Sequence, residues 1–285
     1  MEKEMFERIL EVAKNDERVR AVYMNGSRAN PSIDRDRWQD YDIAYVVTET
    51  ASFLKDKDWI AVFGEAAIVQ EPDSNDLGWG IDHDFSRSYG WLMLLKDGVR
   101  IDLHIIVPQA ALEEYMADTL TVPLLDKDHI LPEIPPANDS GYWVKKPTRQ
   151  QYDGCCNEFW WCLNNVAKGI VRDQLSYAMR MYIQVVHIEL EHMLDWYIGM
   201  QHHFQVSTGM WGKYFKKHLP AEWYDMFVHT YADSDYEHLC HAIFTACALF
   251  RLAAQNVGEV LRYPYNRQDD DNMMEYLRAM RSGEM

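Results

Sequence analysis

Between Leu131 and Pro147 the chain reads LPEIPPANDSGYWVKKP, four prolines with Gly, Ser and Asn among them. Proline offers no amide hydrogen to a helix or a sheet, so neither can run through this stretch. The chain has to fold as two pieces. A boundary within Pro135–Gly141 predicts domains at 1–138 and 139–285.

The two pieces follow different hydrophobic periods. In the first, Met5, Phe6, Ile9, Leu10 and Ala13 recur at helical spacing over 3–14. Ala21–Met24 and Tyr41–Thr48 are rich in apolar, β-branched and aromatic residues and predict strands. Residues 58–70 read as a short helix leading into a strand at Ala66–Val69. Trp91–Leu95 and Val99–Val107 flank Asp97-Gly98, a hairpin turn signal. Gln109–Ala117 follows as a helix. The polar stretch 71–89 is expected to be a loop. This pattern predicts an α+β domain, a mixed sheet flanked by helices.

Beyond the prolines the period is helical throughout, predicting an all-α bundle. Thr148 and Gln151 form a capping-box pattern ahead of a run to about Ile170. Asp173 is the expected cap of a second run to Tyr197, with Gly199 as its stop. Ser234 and Glu237 repeat the capping pattern before a run to about Leu261. Shorter helices are expected at 210–218, 220–231 and 272–281, and Asp269–Asp271 as a solvated helix start. The five cysteines include no Cys-x-x-Cys pair. Cys155 with Cys162, and Cys240 with Cys247, fall seven apart on apolar helix faces and read as small buried side chains. Trp160 and Trp161 are expected to pack in the core rather than to stack on a ligand. No histidine spacing signals a zinc site.

Charge is divided as unevenly as period. Residues 1–140 carry 28 acids against 14 bases, and 141–285 carry 17 against 14, for a net charge of −17. A chain this acidic is unsuited to nucleic acid, whose affinity depends on neutralising phosphates. It is suited to a cationic partner. The acidic N-terminus (MEKEMFERIL) lacks the basic start of a signal peptide, and no window is long and apolar enough to span a membrane. The expectation is a cytoplasmic protein without a membrane partner. No heptad or large apolar face requires an oligomer, so a monomer is compatible with the sequence.

One constellation carries chemistry. Gly26-Ser27 closes a predicted strand, and Asp40-Tyr41-Asp42 opens the next. Side chains alternate along a strand, so Asp40 and Asp42 share a face. Two like charges so placed call for a hard divalent cation, and Mg²⁺ takes carboxylates together with substrate phosphates. The glycine turn lets backbone amides approach phosphate oxygens, with the Ser27 hydroxyl beside them. In Val99–Ile105 the odd positions are apolar and Asp102 lies on the opposite face, between Arg100 and His104. If that strand pairs beside the Asp40 strand, three carboxylates converge. Asp102 is then either a third metal ligand or the acceptor of a proton from an attacking hydroxyl. Arg28 stands as a phosphate contact or as a salt-bridge partner. Lys213 and Lys168 are candidate triphosphate contacts from the second domain.

This arrangement resembles the polymerase-β-type nucleotidyltransferases. Further stretches in order narrow the resemblance: Asn25–Asn30, Asp40–Ile43, Val62–Glu65, Arg100–Leu103, Glu158–Gly169, Trp196–Gly199 and Ser207–Pro220. Together they resemble the aminoglycoside 6-adenylyltransferases over about residues 1–280. The resemblance implies ATP as co-substrate and transfer of AMP to the 6-hydroxyl of streptomycin, a cationic aminoglycoside, with release of pyrophosphate. It places the metal aspartates at Asp40 and Asp42, the phosphate turn at Gly26 and Ser27, and the third acid at Asp102. His104 departs from a pattern in which threonine often follows Ile-Asp-Leu. Another aminoglycoside or a lincosamide as acceptor would keep the same chemistry. A non-catalytic relative would be expected to lose one of the aspartates. Carboxylates that could hold the drug include Glu158, Asp173, Glu189 and Asp233.

Overall fold

The computed structural model describes residues 2–56 and 58–282. Two compact units divide the chain, Met1–Gly141 and Tyr142–Met285.

The first unit is built on a six-stranded mixed sheet. Helix α1 (Glu2–Asn15) leads into β1 (Val19–Asn25), a 3₁₀ turn at Ser27–Ala29, and β2 (Tyr41–Val47). Then come α2 (Ala51–Lys55), a 3₁₀ turn at Trp59–Phe63, β3 (Ala66–Gln70), α3 (Pro72–Leu77), β4 (Ser88–Leu95), β5 (Arg100–Ile106), α4 (Pro108–Ala117) and β6 (Val122–Asp126). The strand order is β3-β4-β5-β2-β1-β6. β2 and β5 are parallel, and the other neighbours are antiparallel.

Alternation along the strands sorts the side chains to two faces. Ile43, Tyr45, Ile101, Leu103 and Ile105 are buried in one cluster with Met5, Ile9 and Ala13 of α1 and the rings of Phe53, Trp59 and Phe63. On the other face Ala21, Tyr23, Ala44, Val46 and Ile106 pack with Ala110, Ala111 and Tyr115 of α4. That second cluster is smaller, and Asp42 and Asp102 lie on the same face beyond it.

Two expectations for this unit are corrected. Residues 71–89 are not one loop. Pro72 begins a helical turn, as proline does at a first helical position, and Ser88 already belongs to β4. β6 gave no sequence signal because it is short and contains Pro123; it pairs with β1 at the edge of the sheet, where proline is tolerated.

The second unit is helical: α5 (Arg149–Val171), α6 (Leu175–Met181), α7 (His187–Gln201), α8 (Phe215–His218), α9 (Ala221–Val228), α10 (Tyr236–Leu261) and α11 (Arg267–Ser282). A π-helical turn at Tyr182–Val186 joins α6 to α7. Thr148 caps α5 in a capping box with Gln151. All five cysteines are unpaired and buried. Trp160 is buried against Phe159 and Phe250, whereas Trp161 is exposed.

Five expectations here are corrected, the first being Trp161, which is exposed rather than packed in the core. Asp173 does not cap α6; it adopts a left-handed φ of 54° after the end of α5, and its carboxylate accepts from Tyr236 Oη at 2.9 Å. Gly199 does not stop α7. It is buried inside the helix because a Cβ there would come within 2.8 Å of Phe204 and Val144. α10 is capped by Asp235, whose side chain accepts from the amides of Glu237 and His238, and not by Ser234. The Asp269–Asp271 run is not wholly solvated. Asp270 is fully buried, paired with Arg251 at 2.5 Å and accepting from Tyr265 Oη at 2.9 Å.

Removing one partner of a buried ion pair strands the other and is strongly destabilising. Asp270→Ala is therefore expected to lower stability by roughly 3 kcal/mol, read as a reduced urea midpoint. Glu275→Ala, on the exposed side of α11, should leave the midpoint unchanged.

Candidate functional site

The site of the first unit is set by strand register. Asn25 of β1 pairs with Asp42 of β2, and Asp42 pairs with Asp102 of β5. Paired residues point to the same face, so the two carboxylates stand side by side. Asp40, two residues before Asp42, joins them from the start of β2. Asp42 and Asp102 line a cleft of 290 Å³ together with Asn25, His104 and Glu114.

Gly26 makes room for this row. Its φ of 72° with ψ of −154° belongs to a region that glycine alone visits readily. A Cβ at this position would lie 2.1 Å from Asp42 Oδ2. The turn continues with Ala29 N donating to Gly26 O and Asn30 N to Ser27 O, so Ser27 sits half-buried at its start. Arg28 is buried beneath. Its Nη2 donates to Gln39 O at 2.9 Å and its guanidinium lies 3.8 Å from the Tyr41 ring centroid. Gln39 Nε2 in turn donates to Ser27 O. Arg28 thus ties the glycine turn to the loop that delivers Asp40.

Electrostatics at the row are unfavourable to like charge. Burial, with Asp102 and Asp40 nearby, raises Asp42 to about 6. Burial also raises Asp40, opposed by Arg100. Arg100 reaches across the carboxylates: Nε and Nη2 donate to Asp102 at 2.8 and 2.6 Å, and Nη1 lies 3.3 Å from Asp40. A guanidinium thus sets positive charge against two of the three carboxylates. The donor set is all oxygen, as a hard cation prefers. Among the described residues, no group of three or more His, Cys, Asp or Glu side chains is spaced for metal binding as they stand.

The remaining sequence candidates belong to the second unit. Lys168 is exposed near the end of α5; Lys213 is exposed, its ammonium 5.3 Å from the Tyr214 ring centroid. Glu158 is exposed and accepts from Cys162 Sγ, Asp173 closes α5, and Asp233 pairs with His238 at 2.9 Å. Glu189 differs from these: it lines a cleft of 560 Å³ with His192, Asp195, Trp196 and Thr208. Sequence reading passed over Asp195. Its signal was an acid inside the apolar run Met193–Ile198 of α7. Sequence reading also passed over Arg100 as the internal counter-ion of Asp40 and Asp102.

Comparison with known proteins bears on both units. A family model described as streptomycin adenylyltransferase matches residues 1–280. The chain belongs to the streptomycin adenylyltransferase family. It is 35% identical over 271 residues to an aminoglycoside 6-adenylyltransferase of Bacillus subtilis (strain 168), covering 94% of each chain. It is 36% identical over 270 residues to one of Campylobacter jejuni, covering 94% of this chain and 92% of that protein. A crystal structure of an aminoglycoside 6-adenyltransferase from Bacillus subtilis is 31% identical, covers 98% of both chains and gives a TM-score of 0.48. Membership of an adenylyltransferase family implies a nucleotide co-substrate.

In this family member the Asp42 carboxylate is held in a place that disfavours its charge. Its value of about 6 in the folded chain exceeds the ordinary 3.8. A raised carboxyl favours the folded state while protonated, and that contribution is lost as pH rises from about 4 through 6. The isosteric Asp42→Asn is thus expected to stabilise the first unit at pH 7.5 by up to about 3 kcal/mol. The gain should shrink by about half at pH 5. Urea unfolding at the two pH values measures both.

Proposed function

We propose that the chain transfers AMP from ATP to the 6-hydroxyl of streptomycin and releases pyrophosphate. The observation that carries this reading is the row of Asp42 and Asp102, joined by Asp40 and facing the Gly26 turn. The names of the relatives, both aminoglycoside 6-adenylyltransferases, support the acceptor class. The net charge of −17 supports a polycationic acceptor.

Each part of the row has a task in this reaction. The hydroxyl oxygen bonds to the α-phosphorus while the bond from that phosphorus to the oxygen bridging the β-phosphate breaks. The Gly26-Ser27 turn receives phosphate oxygens through its backbone and hydroxyl. Asp40 and Asp42 are the residues that would hold Mg²⁺, which supplies charge neutralisation for the triphosphate and the departing pyrophosphate. Arg100 already places positive charge against Asp40 and Asp102, which supports a pocket built for it. Asp102 takes the hydroxyl proton or completes the ligand set. Asn25, whose Nδ2 donates to Thr121 Oγ1 at 2.8 Å, fixes the end of β1 beside Asp42. The burden on the protein is positioning and charge neutralisation, the main terms in phosphoryl-type transfer.

Incubation with ATP labelled at the α-phosphate, Mg²⁺ and a panel of aminoglycosides and lincosamides tests the proposal. Label is expected on streptomycin, with pyrophosphate released in equal amount. Asp42→Asn should reduce turnover by about a thousandfold without loss of fold, and Gly26→Ala should do likewise by displacing the carboxylate. Wild-type turnover in Asp42→Asn would overturn the role of the row. Label on a different antibiotic would move the acceptor.

A further inference from the structure

The second unit contains a cleft of 560 Å³ whose α7 wall presents Glu189, His192, Asp195 and Trp196. These residues share one side of the helix, being spaced at three, six and seven from the first. Thr208 and Tyr142 line it from outside α7.

Asp195 is the unusual member. Its Oδ1 is buried and has no hydrogen-bond partner. Among the buried, partnerless side-chain polar atoms of the described residues, it is the one carboxylate oxygen. A buried acceptor left without a donor costs about 1–3 kcal/mol, more when charged. Burial raises its carboxyl to about 6, against the opposing influence of Thr208 and His192, while Glu191 adds to the rise. Lys145 and Lys146 also border the cleft. Both are exposed, and neither is among the charges acting on Asp195. Among the described residues, no lysine or arginine acts on this carboxylate.

The neighbouring groups show what kind of donor the wall accepts. His192 stands over the Trp196 indole, with ring centroids 6.3 Å apart and planes inclined by 20°. Its Nδ1 lies 3.4 Å from Glu189 Oε2, and that pairing raises its affinity for a proton. A flat nitrogen-bearing ring stacked on an indole and paired to a carboxylate is thus already present in part of the cleft. The same recognition suits a guanidinium better than an ammonium, because a guanidinium is planar, stacks on aromatic faces and donates two parallel bonds to one carboxylate.

We propose that this cleft binds a guanidinium group, with Asp195 as its carboxylate partner and Trp196 and His192 as its stacking wall. The natural ligand is then the guanidinium-bearing part of an aminoglycoside. That identity rests on the function proposed above; the site itself does not. The role is binding, with no bond made or broken at Asp195.

Calorimetric titration of the full chain tests it with three probes: streptomycin, its diguanidino cyclitol streptidine alone, and kanamycin, which carries amines and no guanidinium. Wild type is expected to bind the first two more tightly than kanamycin. Asp195→Asn, nearly isosteric, should weaken streptomycin and streptidine by about 10- to 100-fold and leave the affinity for ATP with Mg²⁺ unchanged. Its thermal midpoint should equal or exceed that of wild type, which separates loss of the site from loss of the fold. Trp196→Phe, keeping a smaller ring, should weaken the same two probes about 3-fold. In turnover, Asp195→Asn should raise KM for streptomycin and change kcat little. Unchanged streptidine binding in Asp195→Asn overturns the proposal. So does an equal loss for kanamycin, which would reduce Asp195 to a general negative charge. Loss of streptidine binding in that variant, with no adenylyl transfer by wild type to any drug, would support the cleft and defeat the function proposed above.

Discussion

Like charge held together by a sheet is the constraint on which the first unit turns. Register alone brings Asp42 and Asp102 level on adjacent parallel strands, and Asp40 follows because side chains alternate. Nothing in sheet formation requires three acids there, and their repulsion opposes folding. The structure offsets it in two ways. Arg100 reaches from the next position on the same face of β5 to Asp102 and Asp40, and Gly26 leaves the Asp42 carboxylate room by having no side chain. Arg28, buried beneath the turn, braces the loop that carries Asp40 through Gln39.

The two faces of that sheet explain why the acids can be where they are. One face is sealed by α1 and a group of aromatic rings, and it supplies most of the apolar burial. The other is only part-covered: α4 closes over Ala44, Val46 and Ile106, and the face beyond is left to the polar row. His104 stands at the margin, its Nδ1 3.6 Å from Glu114 of α4. A chain in which α4 covered the whole face would be more stable and would have no cleft.

Much of this was legible in the sequence because the governing signals are local. Strand alternation set the side of Asp40, Asp42 and Asp102, and Asp97-Gly98 set the hairpin that brings β5 into the sheet. The capping box at Thr148 needed four residues to recognise. What escaped was decided by distant partners. Gly199 looked like a helix stop, yet it is a contact point for Phe204 and Val144. Asp270 looked solvated within an acidic run, yet Arg251 and Tyr265, nineteen and five residues away, draw it into the interior. Arg28 was read as a contact to phosphate or to acids; its charge does act on Asp40 and Asp42, and what the sequence could not show is its packing against the Gln39 carbonyl and the Tyr41 ring. Asp195 was passed over because a single acid in an apolar run carries no spacing, and its lack of a donor is visible only in three dimensions. β6 could not be read from a five-residue segment with a proline in it.

The distribution of sulfur has a practical corollary. Every cysteine lies in the second unit, and all five thiols are covered by protein, with burial raising their affinity for the proton. Thiolate is the reactive form, so alkylating reagents meet neither access nor nucleophile in the intact bundle. The rate of alkylation consequently clocks the opening of the helical unit alone and is blind to the sheet unit. One chain thus carries a native probe that times the opening of its helical half by itself, with no label introduced.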